Sequence, residues 1–140
     1  TRAHLLEALY RLAGSPETEE GGFPFTDVPV SSSYRAACHW AYESGLTGGV
    51  NEAVLGAFLP LRRQDLAVIL QRFAALDGQA APESALTCAD SGQLESWAIP
   101  AAAWAVEEGY LTLDGQGRLD PRGYVSRAAL AQVLARWLEA

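Results

Sequence analysis

The chain has 140 residues, of which 49% are hydrophobic, which is enough for one packed core. Its formal net charge of −7 would repel nucleic-acid phosphates over most of the surface and argues against nucleic-acid binding. No apolar run approaches the roughly 18 residues that a membrane-spanning helix needs, and we expect any targeting segment to lie outside this sequence.

The first element is predicted to be a helix over residues 1–13. Thr1 can accept hydrogen bonds from the first-turn backbone N–H groups, and Gly14 can end the helix. Residues 15–22 are polar, acidic and rich in glycine, and therefore predict a linker.

The middle of the chain predicts two helices around a long loop. The segment 25–29, Phe-Thr-Asp-Val-Pro, opens this part, and a helix follows over about residues 33–44. Residues 46–60 predict a loop, and a second helix runs from Arg63 to about Leu76.

The last part of the chain repeats this order. Residues 77–87 predict a second linker, and a helix over residues 97–108 has Pro100 in its first turn, where proline is tolerated. A glycine-rich loop spans residues 114–123, and the last helix is predicted over residues 126–140.

An arginine recurs at the start of three amphipathic helices, as Arg2, Arg63 and Arg127. Apolar residues follow each arginine at helical spacing and predict one buried face per helix. These residues are Leu5, Leu9 and Leu12, then Leu66, Leu70 and Phe73, then Leu130, Leu134 and Trp137. Further pairs lie 64 positions apart: Trp40 and Trp104, Gly45 and Gly109, Leu55 and Leu119. The sequence therefore predicts a repeat protein.

These motifs resemble the S-layer homology (SLH) repeat. They are Phe25-Thr26-Asp27-Val28, Trp40-Ala41 and Gly45-Leu46 in one copy, and Trp104-Ala105, Leu119-Asp120-Pro121 and Val125-Ser126-Arg127-Ala128 in the next. The resemblance implies an all-α module of tandem helix-loop-helix repeats around a pseudo-threefold three-helix core. Residues 1–22 then form the last helix of a truncated first repeat plus a linker, residues 23–80 the second repeat and residues 81–140 the third.

The resemblance also implies a function. SLH modules hold bacterial surface proteins on the cell wall or S-layer, without catalysis, by non-covalent binding to a secondary cell-wall polysaccharide that often carries pyruvate ketals. This chain departs from the family pattern in places. The acidic residue two positions after the arginine is Asp65 in one copy but His4 and Ala129 in the others, and the aromatic residue that begins the first helix is Trp97 in one copy but Ser33 in the other.

Arg63 and Arg127, together with Arg2, are the first candidates for ligand binding. A guanidinium pairs with a carboxylate through two parallel hydrogen bonds, and a helix N-terminus adds partial positive charge. The alternative is that these arginines brace the repeat by bonding to a loop carbonyl or a neighbouring carboxylate. Residue type leaves both interpretations open.

Four more residues join the candidate site. Trp97 stands beside polar residues and is a candidate for stacking on a sugar, while Ser126 keeps the family pattern beside Arg127. Gly48 and Gly49 would let the backbone approach a ligand, although loop geometry explains them equally well. The other recurring aromatic and acidic residues are expected to have structural roles. Trp40 and Trp104 are expected in the core, and Asp27 and Asp90 are expected to cap turns.

No catalytic constellation emerges, and we expect neither a metal nor a cofactor. His4 and His39 are isolated from one another, and Cys38 and Cys88 are expected to be reduced, buried residues. The alternative function is an SLH-like structural module that packs on its parent protein or on another copy, without binding glycan. Such a partner would complete the truncated first repeat.

Overall fold

The computed structural model describes residues 1–18, 22–76, 78 and 88–139. Within these residues the protein has five α-helices, two short 3₁₀ turns and no β-strand, so the all-α prediction is confirmed. The helices are α1 (Arg2–Leu12), α2 (Arg35–Glu43), α3 (Arg63–Leu76), α4 (Ile99–Glu107) and α5 (Arg127–Glu139), and the 3₁₀ turns are Ser91–Gln93 and Ser96–Ala98. Residues 19–21 of the first predicted linker, and all of the second except residue 78, lie outside the described residues.

The chain forms two compact units, one over residues 1–60 and the other over residues 61–140. Each unit joins the second helix of one predicted repeat to the first helix and loops of the next. The repeat boundaries at residues 22 and 80, and the pseudo-threefold core, remain predictions from the sequence period.

Unit 1 is built on the packing of α1 against α2. Thr1 begins α1 as predicted, because its side chain accepts a hydrogen bond from the backbone N–H of His4. Leu5 and Leu9 of the predicted α1 face are buried, as is one face of α2, but Leu12 is 40% exposed, so the prediction of a buried face was wrong for that residue. The buried residues are Leu5, Leu6, Leu9, Ala37, Trp40 and Ala41.

Helix α2 begins two residues later than predicted. The backbone N–H of Ser32 donates to the carbonyl of Pro29, and that of Arg35 donates to the carbonyl of Ser32, so a turn occupies the residues before the helix. Gly45 follows the end of α2 at φ +76°, the left-handed conformation predicted for it.

Unit 2 repeats this packing with α3 and α4. Leu66, Leu70 and Trp104 are buried, so both repeated tryptophans lie in the core as predicted. The chain enters α4 through the 3₁₀ turn at Ser96–Ala98, and Pro100 lies in the first turn of α4. Proline fits there because a first-turn N–H has no partner within the helix.

Helix α5 is less buried than predicted. Val133 is buried and the Trp137 ring lies 5.1 Å from that of Phe73, but Leu130 and Leu134 are only half-buried. In the described part of the chain α1 packs along α2 and α3 along α4, whereas α5 packs less closely against the other helices. The prediction of three equally buried leucine faces was therefore wrong for α5.

Two aspartates hold the same place in their units. The Asp27 carboxylate accepts hydrogen bonds from the backbone N–H groups of Leu55 and Gly56, both at 2.9 Å. The Asp90 carboxylate accepts from those of Leu119 at 2.9 Å and Asp120 at 2.8 Å. Both aspartates therefore cap a turn, as predicted.

Candidate functional site

Arg63 braces a loop of unit 2. Its Nε donates to the carbonyl of Leu119 at 2.8 Å, and its Nη2 donates to the carbonyl of Thr112 at 3.0 Å. These two donors form the edge of the guanidinium that would otherwise pair with a carboxylate through parallel bonds. Arg63 therefore braces the loop, as the second of the two interpretations states. Its guanidinium also contributes positive charge beside the loop.

Arg2 makes a related contact in unit 1. Its Nη2 donates to the Thr47 hydroxyl at 2.8 Å, and that hydroxyl donates to the carbonyl of Gly48 at 3.2 Å. The Nε of Arg2 is buried and has no hydrogen-bond partner among the described residues. The structure thus brings two predicted site residues, Arg2 and Gly48, into one chain of hydrogen bonds.

The first backbone N–H groups of α1 and α3 are already occupied. The N–H of Arg2 donates to the carbonyl of Leu59 at 3.1 Å, and that of Ala3 to Ala57 at 2.7 Å. The equivalent groups of α3 donate to Gly123 at 2.9 Å and Pro121 at 3.0 Å. Because loop carbonyls take these donors, neither helix start offers the open anion site that the sequence suggested.

Helix α5 begins differently. The Ser126 hydroxyl accepts from the backbone N–H of Ala129 at 3.0 Å, as a capping side chain does. The Arg127 side chain is exposed and has no hydrogen bond or ion pair within the part of the chain that the structure describes. Arg127 is therefore available to a ligand in a way that Arg63 is not.

A groove of about 400 Å³ lies beside Arg63 in unit 2. Ser126, Tyr124 and the loop from Thr112 to Asp120 contribute to its walls. We call this the Arg63 groove. A smaller cleft of about 130 Å³, also lined by Arg63, lies against Tyr110 and Val133. The structure therefore places Arg63 and Ser126 at one groove, as two of the predicted site residues.

The Arg63 groove carries charges of both signs. Arg63 and Arg118 contribute positive charge, and Asp114 and Asp120 contribute negative charge. Asp114 lies 3.1 Å from Arg118, and the backbone N–H groups of Arg118 and Gln116 lower the pKa of the Asp114 carboxyl. Such a groove suits a hydroxyl-rich ligand with local charged groups, because it offers both donors and acceptors.

Tyr124 is a groove residue that the sequence interpretation missed. Its side chain is 65% exposed, while its backbone forms an isolated bridge with Arg62. A ring at a groove presents a flat apolar face and a hydroxyl together. Its position directly before the recurring segment Val125-Ser126-Arg127 was the available signal, but it has no aromatic counterpart at position 60, where the chain has proline.

The other predicted site residues lie elsewhere. Trp97 is 57% exposed on its 3₁₀ turn, but it is not among the residues that line the Arg63 groove. Gly48 has open space where a Cβ would stand, whereas a Cβ on Gly49 would collide with the Phe25 ring and the carbonyl of Asn51. Close packing within the loop thus accounts for Gly49.

The two cysteines are both free, and their surroundings differ. Burial raises the pKa of the Cys38 thiol to about 12, so it carries no thiolate near neutral pH. Cys88 is half-buried, and burial together with a hydrogen bond to the Asp90 carboxylate raises its pKa. Within the described residues, no three His, Cys, Asp or Glu side chains are placed to hold a metal ion, and no helix has the length and apolarity to cross a membrane.

Comparison with known families identifies one segment. The family model of the S-layer homology domain matches residues 90–131, which is less than a third of the chain and includes the loop and helix start that line the Arg63 groove. No curated protein matches the chain. SLH domains are generally non-catalytic modules that associate with the cell surface and bind cell-wall polysaccharide. The SLH resemblance is confirmed for residues 90–131; for the rest of the chain it rests on the recurring motifs.

Proposed function

We propose that this protein anchors to the bacterial cell wall by binding a secondary cell-wall polysaccharide, at the Arg63 groove and the exposed start of α5. The observation that carries the proposal is the SLH match over residues 90–131, because that segment supplies most of the groove walls. The protein then acts as a non-catalytic module outside the cell, at the wall or S-layer.

The contacts assign different roles to Arg63 and Arg127, the two arginines at helix starts in unit 2. Arg63 fixes the loop that forms one wall of the groove, through its bonds to Leu119 and Thr112. Arg127 supplies the free guanidinium for an acidic substituent such as a ketal carboxylate, since its side chain has no partner among the described residues. Tyr124 offers a flat surface for a sugar ring.

Because the protein is acidic overall, its affinity for an acidic polymer has to come from a few local contacts. The net charge of −7 opposes an anionic polymer at long range, but solution ions screen that repulsion beyond about 8–10 Å. A hydrogen bond to a charged group is worth about 1.5–3 kcal/mol. Losing the Arg127 pair is therefore expected to weaken binding about tenfold or more.

Calorimetric titration with purified wall polymer tests this assignment. Arg127→Ala and Tyr124→Ala are each expected to weaken binding, and Arg127→Lys to recover only part of it because lysine lacks the two-pronged donor. Arg11→Ala is the matched control, because Arg11 is an exposed arginine of unit 1 whose side chain, among the described residues, pairs only with Glu7 on its own helix. Equal affinity of Arg127→Ala and Arg11→Ala would remove Arg127 from the site.

A structural or protein-interaction role is the second candidate. Helix α5 supports it, because Leu138 is 70% exposed and Leu130 and Leu134 are only half-buried. Another copy of the chain, or another part of its parent protein, would then cover that face. This role predicts that the isolated protein self-associates in light scattering, that Leu138→Ser abolishes the association, and that the wild type does not bind wall polymer.

A further inference from the structure

A second pocket lies in unit 1, at the start of α2. Its volume is about 480 Å³, within the usual range for small-molecule sites. Thr18, Val30, Ser32, Ser33, Arg35 and His39 are among its lining residues. It shares no residue with the Arg63 groove, which belongs to unit 2.

Arg35 is held in place at this pocket. Its Nη1 donates to the carbonyl of Val28 at 2.8 Å, and its guanidinium carbon lies 4.2 Å above the centre of the Phe23 ring. These two contacts fix the plane of the guanidinium. Its Nε and Nη2 have no hydrogen-bond partner among the described residues, so the edge that pairs with a carboxylate remains available.

The other polar lining groups can bind hydroxyls. The Ser32 oxygen accepts from the backbone N–H of Tyr34 at 3.2 Å, which leaves its own O–H proton to donate. The His39 side chain is 7% exposed; its Nε2 lies 3.0 Å from Glu43 but is not aligned for a hydrogen bond. Among the described residues that line this pocket, none carries a carboxylate, unlike those of the Arg63 groove.

The sequence period pairs one lining residue of this pocket with a larger residue in unit 2. Ser33 stands 64 positions before Trp97, the same offset that relates Trp40 to Trp104. Unit 2 thus carries an indole at the position where unit 1 carries a small hydroxymethyl group. Ser33 and Arg35 both line the pocket, so a larger side chain at position 33 is expected to reduce its volume.

From this combination we infer that the unit 1 pocket binds a small carboxylate ligand that carries hydroxyl groups and is about the size of a monosaccharide. The Arg35 edge takes the carboxylate, and the Ser32, Ser33 and Thr18 hydroxyls take the ligand hydroxyls. This site is independent of the wall polymer proposed for unit 2.

Three soluble probes test the inference on the whole chain: glucuronate, which has both chemical features, glucose, which lacks the carboxylate, and acetate, which lacks the hydroxyls. Calorimetry is expected to show saturable glucuronate binding, with glucose and acetate at least tenfold weaker. In NMR spectra glucuronate is expected to shift the ring signals of His39 and not those of His4, the other histidine of the chain. No saturable glucuronate binding, or equal binding of glucose or acetate, would overturn the inference.

Two variants locate the site. Ser33→Trp gives unit 1 the residue that unit 2 has at the equivalent position, and it is expected to weaken glucuronate binding at least tenfold. Trp97→Ser is its matched control and is expected to bind like the wild type. Arg35→Gln keeps a donor for Val28 but removes the charge, so it provides a second test that does not fill the pocket. Wild-type affinity in folded Ser33→Trp or Arg35→Gln would place the ligand elsewhere.

Discussion

Asp27 holds a long loop through one side chain. Burial by itself would raise the pKa of this carboxyl, but hydrogen bonds from the backbone N–H groups of Leu55 and Gly56 outweigh that effect and lower the pKa. Asp90 has the same balance of causes and the same direction of shift in unit 2. The ionised carboxylate is therefore part of the folded structure in both units.

A lowered pKa in the folded state ties stability to pH. The contribution of Asp27 is present above the ordinary carboxyl pKa of about 4 and is lost as the pH falls through the lowered value. At pH 7, Asp27→Asn is expected to lower the free energy of unfolding by about 1–2 kcal/mol, since an amide offers one acceptor oxygen in place of two. Urea unfolding at pH 7 and at pH 3 measures this, and Asp90→Asn is the parallel variant. A deficit that stays the same at pH 3 would contradict the assignment.

Substitution of Arg63 is expected to lower the stability of the fold, whereas substitution of Arg127 is expected to affect ligand binding alone. Arg63→Ala removes two hydrogen bonds to loop carbonyls and is expected to cost about 1–3 kcal/mol of unfolding free energy. Arg127→Ala removes no contact of the described residues and is expected to stay within about 0.5 kcal/mol of the wild type. Denaturant midpoints of the two variants decide this, and an equal loss in both would mean that Arg127 also braces the fold.

At the scale of the helices, burial distinguishes α3 from α5. Leu70, on α3, is fully buried, so Leu70→Ala is expected to lower the free energy of unfolding by about 2–5 kcal/mol. Leu134, the equivalent residue of α5, is half-buried, and Leu134→Ala is expected to cost about 1 kcal/mol. Thermal unfolding followed by circular dichroism compares the two, and equal losses would indicate that α5 is as covered as α3.

Helical periodicity and turn residues predicted most of the fold. The three arginine-led helices, the glycine after α2 and the aspartate turns all follow from local patterns that packing does not override. Burial on α5 could not be predicted, because an apolar stripe states which face can be buried and not whether a neighbouring helix covers it. The late start of α2 follows from the turn at residues 29–32, which a window of helical spacing does not detect.

The candidate site was predictable only in part. The arginine positions followed from the period, but whether a guanidinium edge meets a loop carbonyl or solvent depends on contacts between segments that are far apart in the chain. Arg63 meets residues 49 and 56 positions away. The same limit applies to Tyr124, whose place at the groove depends on the path of the loop before α5.

At the scale of the whole molecule, an acidic protein is proposed to bind an acidic polymer. This requires the local positive charge of Arg127 and Arg63 to outweigh the overall charge of −7 at short range. Raised salt weakens the attraction at the groove and the overall repulsion together, so salt dependence separates the two poorly. Direct binding to the intact wall is the sharper observation.

Sedimentation of the purified protein with bacterial wall sacculi, before and after extraction of the non-peptidoglycan polymer, tests the central claim most directly. We predict that the wild type and Arg11→Ala sediment with untreated sacculi, that Arg127→Ala sediments much less, and that extraction abolishes sedimentation of all three. Wild-type protein that stays in the supernatant with untreated sacculi, or that still sediments after extraction, would contradict polysaccharide anchoring.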